Sequence, residues 1–105
     1  MRVTAWNNGR HLKSGAGYGL KVDFRDRDTY FDPGAESVSL RLPNGKEFAV
    51  NTAKASFWSE ACRELIHNEI GQWLIENGHA PWPKGKPPKF DLSRVGNHYE
   101  LSDRG

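Results

Sequence analysis

Residues 18–24 alternate strictly between apolar and polar, with Tyr18, Leu20, Val22 and Phe24 on one side and Gly19, Lys21 and Asp23 on the other. A period of two is the signature of a half-buried strand. The alternation returns in Val38, Leu40 and Leu42, and again in Phe48 and Val50 after Pro43-Asn44-Gly45. Asn-Gly between two such runs predicts a hairpin. Phe90/Leu92 and Tyr99/Leu101 predict a second hairpin, joined by a longer loop over Ser93–Asn97. Arg2–Trp6 supplies one further short strand.

The period changes over residues 57–76. Leu65, Cys62, Trp73, Ile66 and Ile70 fall on one stripe of a helical wheel, with Arg63, His67, Glu60 and Glu64 opposite. Ser56 is a fitting N-cap and Asn77-Gly78 a fitting stop. The predicted fold is α+β. A mostly antiparallel sheet of five or six strands carries one long helix, about 57–76, packed on one face. At 105 residues a single domain, 1–105, is expected.

Glu69 breaks the apolar stripe, lying between Leu65, Cys62 and Trp73. A carboxylate there is costly unless paired or protonated. No lysine lies on the helix, so a partner is expected from the sheet, with Lys21, Arg25 and Arg41 as candidates. Glu69 is therefore the buried-carboxylate candidate.

One segment is a loop by composition: Gly78–Pro88 holds four prolines and two glycines in eleven residues, which forbids a helix or a central strand. Trp82 sits between Pro81 and Pro83, followed by Lys84, Lys86 and Lys89. An indole on a stiff loop loses little entropy on binding, and aromatics beside cations grip single strands without sequence choice. The alternative role for Trp82 is to fold back and plug the core where the helix stops.

Charge is uneven although the formal net is +2. Residues 1–27 carry a net +4, residues 28–55 a net −1, residues 56–79 a net −3 and residues 80–105 a net +2. If the two basic ends meet in space they make one basic face, to which Lys21 and Arg25 would belong.

Other motifs carry less. The glycines of Ser14–Gly19 precede a strand, whereas a phosphate-binding fingerprint follows a strand and opens a helix. Asp23, Asp26, Asp28 and Asp32 lack EF-hand spacing and are interleaved with Arg25 and Arg27. The four histidines are isolated from one another and from Cys62, so no metal site is expected. Nothing points to a cofactor or to a catalytic nucleophile with its base.

No apolar run exceeds three residues, so no membrane-spanning helix is expected. Met1–Asn7 lacks the apolar stretch of a secretory signal. A single cysteine suits a reducing cytoplasm. The function expected is a small cytoplasmic binding module for nucleic acid or a protein partner. It would use the basic terminal segments and the Pro-clamped Trp82 loop, with Trp82, Lys84, Lys86, Lys89, Lys21 and Arg25 as binding residues. The alternatives are a hydrolase- or nuclease-like enzyme built on Glu69 or on Asp23, Asp26 and Asp28, and a structural subunit. Free sheet edges suggest a homodimer.

Overall fold

The computed structural model describes residues 1–60 and 62–103. The chain runs β1 (Arg2–Asn7), β2 (Tyr18–Val22), α1 (Phe24–Tyr30), β3 (Ser37–Arg41), β4 (Glu47–Asn51), a 3-10 turn (Ala55–Trp58), β5 (Glu64–Ile66), α2 (Asn68–Glu76), β6 (Lys89–Val95) and β7 (His98–Ser102). The strands form one seven-stranded sheet in the order β4-β3-β7-β6-β1-β2-β5. All neighbours are antiparallel except β3 and β7, which are parallel. The sheet curls until its edge strands β4 and β5 approach each other, giving a nearly closed barrel.

This overturns the expected fold class. The sheet has seven strands and is mixed, and no helix spans 57–76. The 3-10 turn Ala55–Trp58 overlaps the start of that segment, Glu64–Ile66 is a strand, and only Asn68–Glu76 is α-helix. The physical reason is an unpaired edge. Gly19, Leu20 and Lys21 of β2 need ladder partners, and Ile66, Leu65 and Glu64 provide them. Leu65 thereby enters the core beside Leu20, fully buried, while Ile66 and Cys62 are exposed. A short apolar run carries both periodicities, and pairing decides between them. The helix N-cap is His67, whose Nδ1 accepts the Glu69 N–H at 3.0 Å. The expected stop holds, with Gly78 at φ 74°.

A second correction concerns residues 23–30. The alternation of β2 ends at Val22, and Asp23 caps α1 by accepting the Arg25 N–H at 2.9 Å. Phe24 is consequently 46% exposed. Both hairpins are present, but the second turns tightly at Gly96-Asn97, shorter than the expected loop.

Inside the barrel lie Val3, Ala5, Leu20, Val22, Leu40, Val50, Leu65, Phe90, Leu92 and Leu101. Each end is plugged. At one end α2 inserts Ile70, Trp73 and Leu74. Here the Ser14–Gly19 glycines find their use. A Cβ on Gly71 would collide with the Gly15 backbone, and one on Gly15 would meet Gln72 N at 2.6 Å. Glycine at both positions lets the β1–β2 loop lie directly on the helix.

At the other end Phe31 stacks on Tyr99 with centroids 4.8 Å apart and meets Phe57 edge-on. Arg27, 7% exposed, ties α1 to the 3-10 turn. It donates to the carbonyls of Phe57 at 3.1 Å and Ser59 at 2.7 Å, and to Asp28 at 3.0 Å. Its guanidinium lies over the Trp58 ring.

Candidate functional site

The pleat of β1 sends Val3 and Ala5 inward and Arg2, Thr4 and Trp6 outward. Register then builds the outer face. Thr4 stands between Lys89 of β6 and Lys21 of β2, and Trp6 stands opposite Gly19. Adjacent strands are about 4.8 Å apart, so the two lysines flank β1 at about 10 Å from each other. The first and last segments of the chain thus meet through the β1–β6 pairing, and Arg2, Lys21 and Lys89 share one surface.

Two loops rise beside the end of β1. On one side Pro88 O accepts the Ala5 N–H at 2.9 Å, so the proline-rich segment extends the β6 ladder along β1. It then turns at Gly85, with Lys86 N–H donating to Pro83 O at 3.0 Å. On the other side Asn7 and Asn8 shape the β1–β2 loop. Asn7 Oδ1 accepts from Gly9 N at 2.7 Å, and Asn8 Oδ1 from Arg10 N at 3.0 Å. Between the loops is a pocket of about 450 Å³ lined by Trp6, Asn7, His11, Trp82, Lys84 and Pro87, among others, with no carboxylate from the described residues in its wall.

Trp82 is half-buried and packs on the core at this pocket. It meets Tyr18 and His11 edge-on, with centroids 5.9 and 5.8 Å away. His11 Nδ1 and the Tyr18 hydroxyl share a hydrogen bond of 2.6 Å. Burial pushes the Tyr18 phenol above its ordinary value, which keeps the hydroxyl neutral. Trp82 therefore packs on the core, as the plug role expects, and is also part of a pocket wall.

Lower on the same face is a cleft of about 370 Å³ lined by Arg2, Thr4, Lys21, Asp23, Asp26 and Arg63, with Val22. Arg63 is held in place, its Nε donating to Val22 O at 2.8 Å and its Nη1 to Glu60 O. Among the described residues, ion pairs involve Arg27, Arg41, Lys46 and His98. Lys21, Lys84, Lys86, Lys89, Arg2 and Arg63 take part in none of them.

Of the residues singled out from sequence, Trp82 and Lys84 line the pocket, Lys86 sits in the same turn, and Lys89 and Lys21 stand on the adjoining face. Arg25 does not join them; it lies on α1 over the Phe24 ring. Trp6, His11, Arg2 and Arg63 were missed. The alternation of Arg2, Thr4 and Trp6 could have placed those three on one face, but nothing in the sequence placed His11 or Arg63 near them.

Glu69 is elsewhere and paired differently. It is in the first turn of α2, and its partner is Lys46 from the β3–β4 turn, with Nζ 3.1 Å from Oε2. Oε2 is shielded from solvent yet accepts no aligned hydrogen bond, so this is a contact of charges rather than a directed bond. The side chain is 27% exposed, and its partner is Lys46 rather than the expected Lys21, Arg25 or Arg41. The pair bridges the seam between β4 and β5, where Phe48 stacks on His67 with centroids 4.2 Å apart. Of the aspartates, Asp23 and Asp26 share the lower cleft with Lys21, and Asp28 does not line it. Asp23 is spent as the α1 cap and Asp28 on Arg27. Among the described residues no three His, Cys, Asp or Glu side chains are placed to hold a metal ion.

Comparison with known proteins returns no matching family, no matching curated relative and no matching solved structure. Among the described residues, no helix is long and apolar enough to cross a membrane.

Proposed function

We propose that the protein is a binding module for single-stranded nucleic acid, held on the outer face of β1, β2 and β6 and in the pocket beside Trp82. The observation that carries this reading is the pocket's make-up. Two indoles and a histidine line it with Lys84 and, among the described residues, without any carboxylate, and it opens beside a row of lysines that form no ion pair with the described residues. Aromatic faces stack on bases, and unpaired cations attract phosphates. The outward residues of β1 extend this surface for about 13 Å, from Trp6 to Arg2. The lone cysteine, Cys62, fits a reducing compartment, and we place the activity in the cytoplasm.

A labelled single-stranded oligonucleotide, titrated with the full chain and followed by fluorescence anisotropy, tests the proposal. Binding is expected to weaken as salt rises, because each neutralised phosphate releases a counterion. With four lysines engaged, the slope of log affinity against log salt is about −3. Absence of binding at low salt and high protein concentration overturns it.

A further inference from the structure

The pocket and the lysine row differ in what they ask of a ligand. The row offers cations on an open strand surface, which any phosphate backbone satisfies. The pocket is concave, walled by loops on both sides, and holds about 450 Å³. That lies in the size range of sites that enclose a small molecule. Its walls supply aromatic surface from Trp6 and Trp82, one lysine, and one imidazole tethered through Nδ1 to a buried hydroxyl.

We infer that this pocket is a mononucleotide slot, taking one unstacked base against Trp82 and Trp6 with its phosphate on Lys84. The inference rests on the nucleic-acid reading and sharpens it: the ligand unit recognised is the nucleotide rather than the backbone alone. Three features select this class. The walls are aromatic, which suits a flat ring. Among the described residues they contain a cation and no anion, which suits an anionic ligand. They are also rigid before binding: Trp82 is braced by Tyr18 and His11 and flanked by two prolines, so little ordering is required of it. On the opposite wall Asn7 is committed to its own loop, its Nδ2 donating to Arg10 O at 3.0 Å and its Oδ1 accepting from Gly9. His11 Nε2 has no partner among the described residues and, with the Trp6 and Trp82 indole N–H groups, is left to meet the base.

The test uses the full chain and 5′-AMP, 5′-UMP, adenosine and inorganic phosphate as separate probes, followed by tryptophan fluorescence. A saturable change is expected with both nucleotides. Adenosine is expected to bind several-fold more weakly, and phosphate alone to cause none. Trp82→Ala is expected to weaken 5′-AMP binding about tenfold or more, the scale of one base stacked on an aromatic ring. Because Trp82 also braces the barrel end, Lys84→Glu serves as the second variant. It lies on an exposed turn and is expected to melt like the parent chain while losing the preference for 5′-AMP over adenosine. Equal binding of adenosine and 5′-AMP by the parent overturns the role of Lys84. If the oligonucleotide binds but neither nucleotide does, the slot is wrong and the nucleic-acid reading stands. If neither oligonucleotide nor nucleotide binds, both fall.

Discussion

Single side chains in this molecule commonly hold two elements together, and their substitution separates local chemistry from packing. Arg27 is the clearest case. Its planar fork meets two carbonyls and a carboxylate at once while its face covers Trp58. Removing it leaves the Phe57 carbonyl in the interior without its donor, so Arg27→Ala is expected to destabilise by about 3 kcal/mol. Lysine cannot reproduce the fork, so Arg27→Lys is expected to recover little of the loss in urea denaturation. Trp82→Ala removes a ring that is only half-buried. Its cost should fall below the roughly 3–5 kcal/mol of a fully buried tryptophan, and thermal melting of the variant measures it. A cost at the upper end of that range would mean that the ring is entirely plug.

At the scale of elements, α2 shows how close approach depends on two glycines in different parts of the chain. Gly71 and Gly15 let a loop backbone lie on a helix backbone, leaving no room for a methyl group. Gly71→Ala, usually favourable in a helix, is expected here to cost about 1–3 kcal/mol through overpacking, read as a lower denaturation midpoint. The start of the same helix carries the Lys46–Glu69 contact. Lys46 is more than half exposed, so solvent screens the pair and Glu69→Gln is expected to cost no more than about 1 kcal/mol. A much larger loss in the same measurement would place that carboxylate at the structural centre of the seam.

The whole molecule responds to pH through groups at both barrel ends. Burial raises the Tyr18 and Tyr99 phenols above their ordinary value of 10.0. Between the unfolded and the folded values the unfolded chain ionises first. The tyrosines' contribution is therefore complete below pH 10 and is lost as pH rises through the folded values. The unfolding midpoint is expected to drop above pH 10, less steeply in Tyr99→Phe. Glu47 acts in the opposite sense. The Ser39 hydroxyl and then Arg41 hold its carboxyl below the usual 4.5, so its contribution is present above that pH and fades as pH falls further. The barrel also alters the case for a homodimer, which rested on free sheet edges. The edges β4 and β5 approach each other within one chain, and sedimentation at several concentrations reads the state of assembly directly.

What the chain determines by itself is local. Alternation in Tyr18–Val22, Ser37–Arg41 and Glu47–Asn51 follows from the two-residue pleat, and Asn44-Gly45 and Gly78 follow from the backbone angles that turns and helix ends require. The stiffness of the Trp82 loop is likewise a property of its prolines. Only the tertiary structure decided whether Glu64–Ile66 is strand or helix, because the answer lay in the unpaired edge of β2, more than forty positions away. It alone brought Lys21 and Lys89 to either side of Thr4, and set His11 and Trp6 in one pocket with Trp82 and Lys84. Strand order is a choice among distant partners, settled by burying one common core and satisfying one ladder. No window of local sequence contains that choice.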